Sequence, residues 1–151
     1  MSSSSEWTPE LTLNVEQLDA QHVDLFRRLE EAAAALAGPR DVLEARINVV
    51  AEELMGHLAA EERLMEESLY PERVRHKSAH ELFVADFEQM RAELQASGPT
   101  TAVADWVRRR IPEWLRFHIR VNDAPFAGWL ARRAGAPDPS RRKKDGGRRL
   151  S

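Results

Sequence analysis

The chain has 151 residues, with 22 Lys or Arg, 25 Asp or Glu and a net charge of −3; that length supports one domain with a true core, and no run approaches the ~18 apolar residues that span a bilayer. The absence of cysteine excludes disulfides, thiolate zinc sites and iron–sulfur ligation. The serine-rich stretch Met1–Glu6 lacks the basic and apolar parts of a secretory signal, so the cytoplasm is the expected location.

The body is rich in Ala, Leu, Glu and Arg, which favour helix, and no strand-like alternation or fixed-period repeat is sustained. An extended N-terminal arm, about Glu6 to Gln17, carries Trp7, Pro9, Leu11, Leu13 and Val15. The first helix is predicted from an N-cap at Asp19 to about Leu36, with Leu18, Phe26, Leu29 and Leu36 on its apolar side and Gly38–Pro39 ending it. The second starts near Asp41, which has capping-box spacing to Glu44, and buries Val42, Ile47, Val50, Leu54, Leu58 and Met65. It stops before Tyr70–Pro71, because a residue preceding proline resists the α conformation.

A third helix runs from about Glu72 to Gln95, with Leu82, Phe83, Phe87, Met90 and Leu94 apolar, and Ser97-Gly98-Pro99 closes it. The fourth covers about Thr101 to Arg132, with Val103, Trp106, Val107, Ile111, Trp114, Leu115 and Ile119 apolar; Pro112 lies inside it and is expected to kink it. Short connections predict an all-α, up-down-up-down four-helix bundle over 1–132. Residues 131–151 hold eight Arg or Lys against two Asp, a charge of +6, with almost no apolar side chains. A disordered basic tail over 133–151 is therefore expected, suited to an acidic partner; nucleic acid is not the expected ligand, and a monomer is.

The polar residues on the apolar faces are the informative ones. There are five histidines: His22, His57, His76, His80 and His118. His57 precedes Glu61 by four residues and His76 precedes His80 by four, a spacing that puts each pair on one helix face about 5–6 Å apart at Cβ. The histidines fall on the apolar stripes, four of them at helical spacing from large apolar residues: His22 before Phe26, His57 after Leu54, His80 before Phe83, His118 after Trp114 and Leu115. An unpaired buried polar group costs on the order of 1–3 kcal/mol, so five of them would burden an unliganded domain. A shared metal centre satisfies them together, and imidazole with carboxylate suits iron, manganese or zinc.

Leu18-Asp19-Ala20-Gln21-His22, the run from His57 to Met65, His76-x3-His80-x2-Phe83 and Trp114-Leu115-x2-His118-Ile119-x3-Asp123 follow one another in this order. Together they resemble the hemerythrin family, in particular its single-domain bacterial members, over Trp7 to about Leu130. The resemblance implies two iron ions (Fe2+/Fe3+) joined by an oxo or hydroxo bridge and by two carboxylates, Glu61 and Asp123. It further implies that His76, His80 and His118 complete one iron, and that His22 and His57 bind the other, which keeps one open position. Reversible binding of molecular oxygen, for storage, delivery or sensing, is the implied function, with no catalysis. Leu25, Leu58, Trp114, Leu115 and Ile119 are the implied walls of the oxygen pocket.

The alternative is a di-iron redox enzyme, linked to peroxide or nitric oxide or acting as a ferroxidase. The chain has no Glu-x2-His pair of the kind found in ferritin-like oxidases, and a histidine-rich, carboxylate-poor site disfavours high-valent iron. Where the family commonly has an aromatic residue after the first histidine of the second helix, this chain has Leu58. His118 and Asp123 are five apart, roughly 140° around an ideal helix, so a π-bulge supported by Pro125 is predicted there. Asp19, Glu53 and Glu62 are candidates for carboxylates that brace the metal-bound imidazoles.

Overall fold

A computed structural model describes residues 6–133; the predicted basic tail and its acidic partner lie, beyond Arg133, outside the described residues. Helices α1 (Glu16–Ala34), α2 (Arg40–Ser68) and α3 (Arg73–Ser97) are followed by a long fourth helix, α4 (101–133). The expected four-helix bundle is present, with no strand among the described residues. No helix of the described residues is long and apolar enough to cross a bilayer.

The boundaries differ from expectation where local chemistry was misassigned. Helix α1 begins at Glu16, not after Asp19. The Asp19 carboxylate instead reaches back to accept from the backbone N–H of Leu13 (2.8 Å) and of Asn14 (3.0 Å), the latter at φ 62°. Asp19 therefore fastens the arm to the first helical turn, and Leu11, in a 3₁₀ turn over Pro9–Leu11, is buried. The capping box at Asp41 does not form: Pro39 is the N-cap of α2, and Glu44 pairs with Arg40 at 2.8 Å. Thr100 does cap α4, accepting from the Val103 N–H.

Two ends show how the connections are held. At the end of α3, Gly98 adopts φ 79° and donates to the Leu94 carbonyl at 2.8 Å, and Arg40 of α2 donates to the same carbonyl at 3.0 Å. Glycine is required by that left-handed φ. At the end of α2, Leu69 takes the left-handed conformation (φ 60°, ψ 41°) although its side chain is exposed. Leu69→Gly is expected to stabilise the fold by about 0.5–1 kcal/mol, because the αL cost for a Cβ-bearing residue exceeds the added chain entropy of glycine. Thermal unfolding measures this; an unchanged or lower midpoint contradicts it.

Helix α4 contains two π turns. In the first, Trp106–Arg110, the Ile111 N–H bonds to the Trp106 carbonyl, and Pro112 follows with no N–H to give. The disturbance expected at Pro112 thus takes the form of a π turn. In the second, Ile119–Asp123, the Ala124 N–H bonds to the Ile119 carbonyl, as predicted for the segment before Pro125.

The core is divided. A large cluster includes Leu25, Phe26, Leu54, Leu58, Phe83, Phe87, Leu115 and Ile119. A small one joins Leu18, Met65, Tyr70 and Phe126. Three helices contribute polar residues between their members of the two clusters: His22 lies between Leu18 and Leu25, His57 and Glu61 between Leu54 and Met65, His118 and Asp123 between Leu115 and Phe126, while His76 and His80 of α3 precede its first large-cluster member, Phe83. Two residues assigned to apolar faces lie outside, Val42 at 40% and Leu82 at 73% exposure; Leu36 is half-buried.

Candidate metal centre

Seven polar side chains occupy the layer between the clusters, and all are buried: His22 from α1, His57 and Glu61 from α2, His76 and His80 from α3, His118 and Asp123 from α4. Both i,i+4 pairs present their groups on one face, as their spacing predicts. Asp123 is five residues beyond His118, and the π turn adds the extra residue that returns its carboxylate to the inner face.

The side chains form two groups of four. Glu61, His76, His80 and His118 offer ligand atoms within 4.8 Å of one another, and so do His22, His57, Glu61 and Asp123. Glu61 Oε1 lies 2.9 Å from both His76 Nε2 and His80 Nε2, while its Oε2 faces His57 Nε2 at 4.0 Å. Asp123 Oδ1 lies 3.1 Å from His76 Nε2 and 3.2 Å from His118 Nε2, while its Oδ2 faces His22 Nε2 at 3.3 Å. Each carboxylate therefore turns one oxygen to a three-histidine group and the other to a two-histidine group.

Protein hydrogen bonds alone do not account for this packing. The Nε2 atoms of His76 and His80 approach that of His118 at 3.1 and 3.0 Å, and those of His22 and His57 approach each other at 3.2 Å. His80 donates its Nδ1–H to Glu62 at 2.8 Å, and His57 Nδ1 meets the amide oxygen of Gln21 at 2.6 Å. With those protons committed outward, the neutral rings turn bare lone pairs inward, toward other nitrogens and carboxylate oxygens. Glu61 Oε2 and both oxygens of Asp123 are buried without a hydrogen bond of proper geometry. Buried anions and convergent lone pairs are the donor set of a cation, and the residues present fit a two-metal site.

Without metal, protons must serve. Burial disfavours a charged His118, yet the charge and contacts of Asp123 and Glu61 outweigh it and raise the group to about 9. His76 is raised by the same two carboxylates against its burial. Burial and the charge of Asp123 push Glu61 upward, but contacts from His118, His76 and His80 prevail and hold it at about 2. Asp123, against its burial, is held well below the usual range by His118, His22 and His76. His57 goes the other way: burial lowers it to about 4.

Of the carboxylates considered as braces, only Glu62 meets an imidazole. Glu53 pairs with Arg28 at 2.8 Å, and Asp19 holds the arm. Gln21 was not foreseen; its one signal was adjacency to His22, and its partner His57 is 36 residues away. Of the residues expected to line a pocket, Leu25, Leu58, Leu115 and Ile119 are buried in the large cluster. Trp114 is half-buried and lies face to face with His118, at 4.6 Å between ring centres and 14° between planes.

The family model for the hemerythrin HHE cation binding domain matches residues 13–130. The chain is 31% identical over 124 residues to a bacteriohemerythrin of Stenotrophomonas maltophilia, covering 80% of this chain and 78% of that protein. A bacteriohemerythrin of Pseudomonas aeruginosa is 32% identical over 80% of this chain and 77% of its own length. The myohemerythrin of Sipunculus nudus is 26% identical, over 82% of this chain and 92% of its own. The match spans all four helices and the whole buried ligand layer: the chain belongs to the hemerythrin family.

Proposed function

We propose that this protein binds molecular oxygen reversibly at a non-haem di-iron centre, as a carrier, store or sensor and not as an enzyme. The observation that carries this reading is the division of both buried carboxylates between a three-histidine and a two-histidine group. Glu61 and Asp123 would serve both irons; His76, His80 and His118 would hold one, and His22 and His57 the other. When bound, an oxo- or hydroxo-bridged iron pair would supply two electrons to oxygen, and the group with fewer imidazoles would leave room for it to bind.

The chain's own residues do the rest. Glu62 and Gln21 hold His80 and His57 by Nδ1, so that each ring offers Nε2 inward. A carboxylate partner makes the first ring a stronger donor than the neutral amide makes the second. Leu25, Leu58, Trp114, Leu115 and Ile119 provide an apolar wall that keeps water and protons from the centre, with Trp114 on the three-histidine side. The test is anaerobic reduction of the iron-loaded protein, followed by oxygen exposure and removal, with absorption and iron content recorded. Two irons per chain and a spectrum that cycles support the reading; fewer than two, or oxidation without return, refutes it.

Iron uptake should be pH-dependent in a direction the site dictates. In the metal-free site His118 is protonated below about 9, and a metal needs its lone pair, so loading releases that proton. Affinity is expected to rise by about tenfold per pH unit for each proton displaced, between pH 6 and 9, and to level above. The folded-state rise of His118 also means that its contribution to metal-free stability is full below its ordinary value of 6.5 and lost as pH climbs through about 9. Proton release on anaerobic ferrous titration measures the first effect, and a pH-independent affinity contradicts it.

A further inference from the structure

An unbroken series of aromatic rings leads from the ligand layer to the surface. His118 stacks on Trp114 (4.6 Å, 14°), Trp114 stacks on Phe83 (3.8 Å, 13°), and Phe83 meets Trp106 at 6.0 Å. Trp106 and Trp114 are half-buried. Both, with Phe83, line an open groove of about 280 Å³ between α3 and α4, whose other walls are Ala79, Leu82, Asp86 and Arg110. The Arg110 guanidinium sits over the Trp106 ring at 4.5 Å. The exposed Leu82, an apolar side chain standing at 73% exposure, is explained by its place on this wall.

We propose that this groove is an electron port: a site where free reduced flavin mononucleotide docks and returns an oxidised centre to its oxygen-binding state. The proposal rests on the di-iron reading above for the acceptor, not for the docking. The aromatic and aliphatic walls suit the planar isoalloxazine, Arg110 suits the phosphate, and Asp86 accepts from the ribityl hydroxyls. Electron tunnelling falls steeply with distance through space, and contacting π systems shorten the gap. The rings serve as a bridge and are not themselves oxidised. One reduced flavin gives up two electrons and two protons to become oxidised flavin; the electrons pass singly through the stack and convert two ferric ions to ferrous, and the protons leave to solvent or the bridge. Loss of electrons from an oxygen carrier without release of oxygen is the failure such a port repairs.

Two measurements test it. In the full chain reconstituted with zinc, which has no redox chemistry, titration into oxidised flavin mononucleotide should quench flavin emission saturably. Riboflavin, which lacks the phosphate, should bind about tenfold more weakly, an electrostatic difference of about 1.4 kcal/mol. Trp106→Leu should abolish the quenching, and Arg110→Ala should reduce the preference for the phosphate. In the iron-loaded, oxidised protein, reduction by reduced flavin mononucleotide should saturate with flavin concentration, and Trp106→Leu should slow it by about tenfold or more while leaving oxygen binding unchanged. No saturable quenching, or quenching indifferent to Trp106, overturns the port. Flavin binding in the zinc protein with equal reduction rates in native and Trp106→Leu protein overturns the electron route. Failure to retain iron counts against the di-iron reading alone, since the zinc measurement stands apart from it.

Discussion

Glu61→Gln is expected to empty the centre of both metals: iron content should fall from two per chain to below about a tenth of that. The side chain keeps its size, so packing against the neighbouring apolar residues is preserved. What changes is charge and donor strength. Glu61 Oε1 is the oxygen shared by His76 and His80, and Oε2 is the one turned to His57. An amide offers one weak oxygen donor and, on its other arm, an N–H₂ that repels a cation. Both metal groups therefore lose a ligand, whereas loss of a single imidazole touches one group only. Removing even a bracing residue typically costs 10–100-fold in metal affinity, so a shared ligand should cost more. Glu62→Gln is the graded comparison. It keeps a hydrogen-bond acceptor for His80 and should retain iron while loosening it by about tenfold. Metal analysis after dialysis against a chelator reads both, and retention of two irons by Glu61→Gln would show that the carboxylate does not bridge.

Much of this centre was legible in the sequence because ligand chemistry overrides weak signals. All five histidines and the Glu61 and Asp123 carboxylates lie in the buried layer; i,i+4 periodicity, a property of any α-helix, paired His57 with Glu61 and His76 with His80, while Asp123 came from the family resemblance. The π turn at Ile119–Asp123 was also readable, since the five-residue spacing admits few other ways to bring two groups to one face. The π turn at Trp106–Arg110 was only half legible: Pro112 announced a disturbance but not its form. Contacts between helices were the least accessible. Gln21 and Glu62 look like ordinary solvent-facing residues of their helices, and which acidic residue meets His80 depends on how α2 and α3 are rotated against each other. Asp19 was read as a helix cap because the local pattern fits one; its bonds to Leu13 and Asn14 depend on the path of the arm. Leu82 was placed inside by periodicity, yet the groove beside Trp106 and Trp114 leaves it in solvent.

Leu58→Phe should slow autoxidation of the oxygenated protein by about tenfold, while costing the fold about 1–3 kcal/mol. Leu58 is 3% exposed, directly follows His57 of the two-histidine group and belongs to the large core cluster. That group includes the position left open for oxygen in the proposed centre, so the bulk at Leu58 sets how freely water and protons reach it. Loss of the two electrons as peroxide needs a proton, and a leucine, smaller than an aromatic ring and with two rotatable bonds, makes a less complete barrier. Phenylalanine fills more of the space beside His57, but Leu58 already lies in the buried core cluster that holds Leu25, Leu54 and Leu115. Overpacking therefore lowers stability as it raises oxygen retention, and the two effects separate experimentally. Thermal unfolding reports the first, and decay of the oxygenated spectrum after removal of free oxygen reports the second. Equal or faster decay in Leu58→Phe would mean that protons reach the centre by another path, and the polar chain of Gln21 and His57 would then be the place to look.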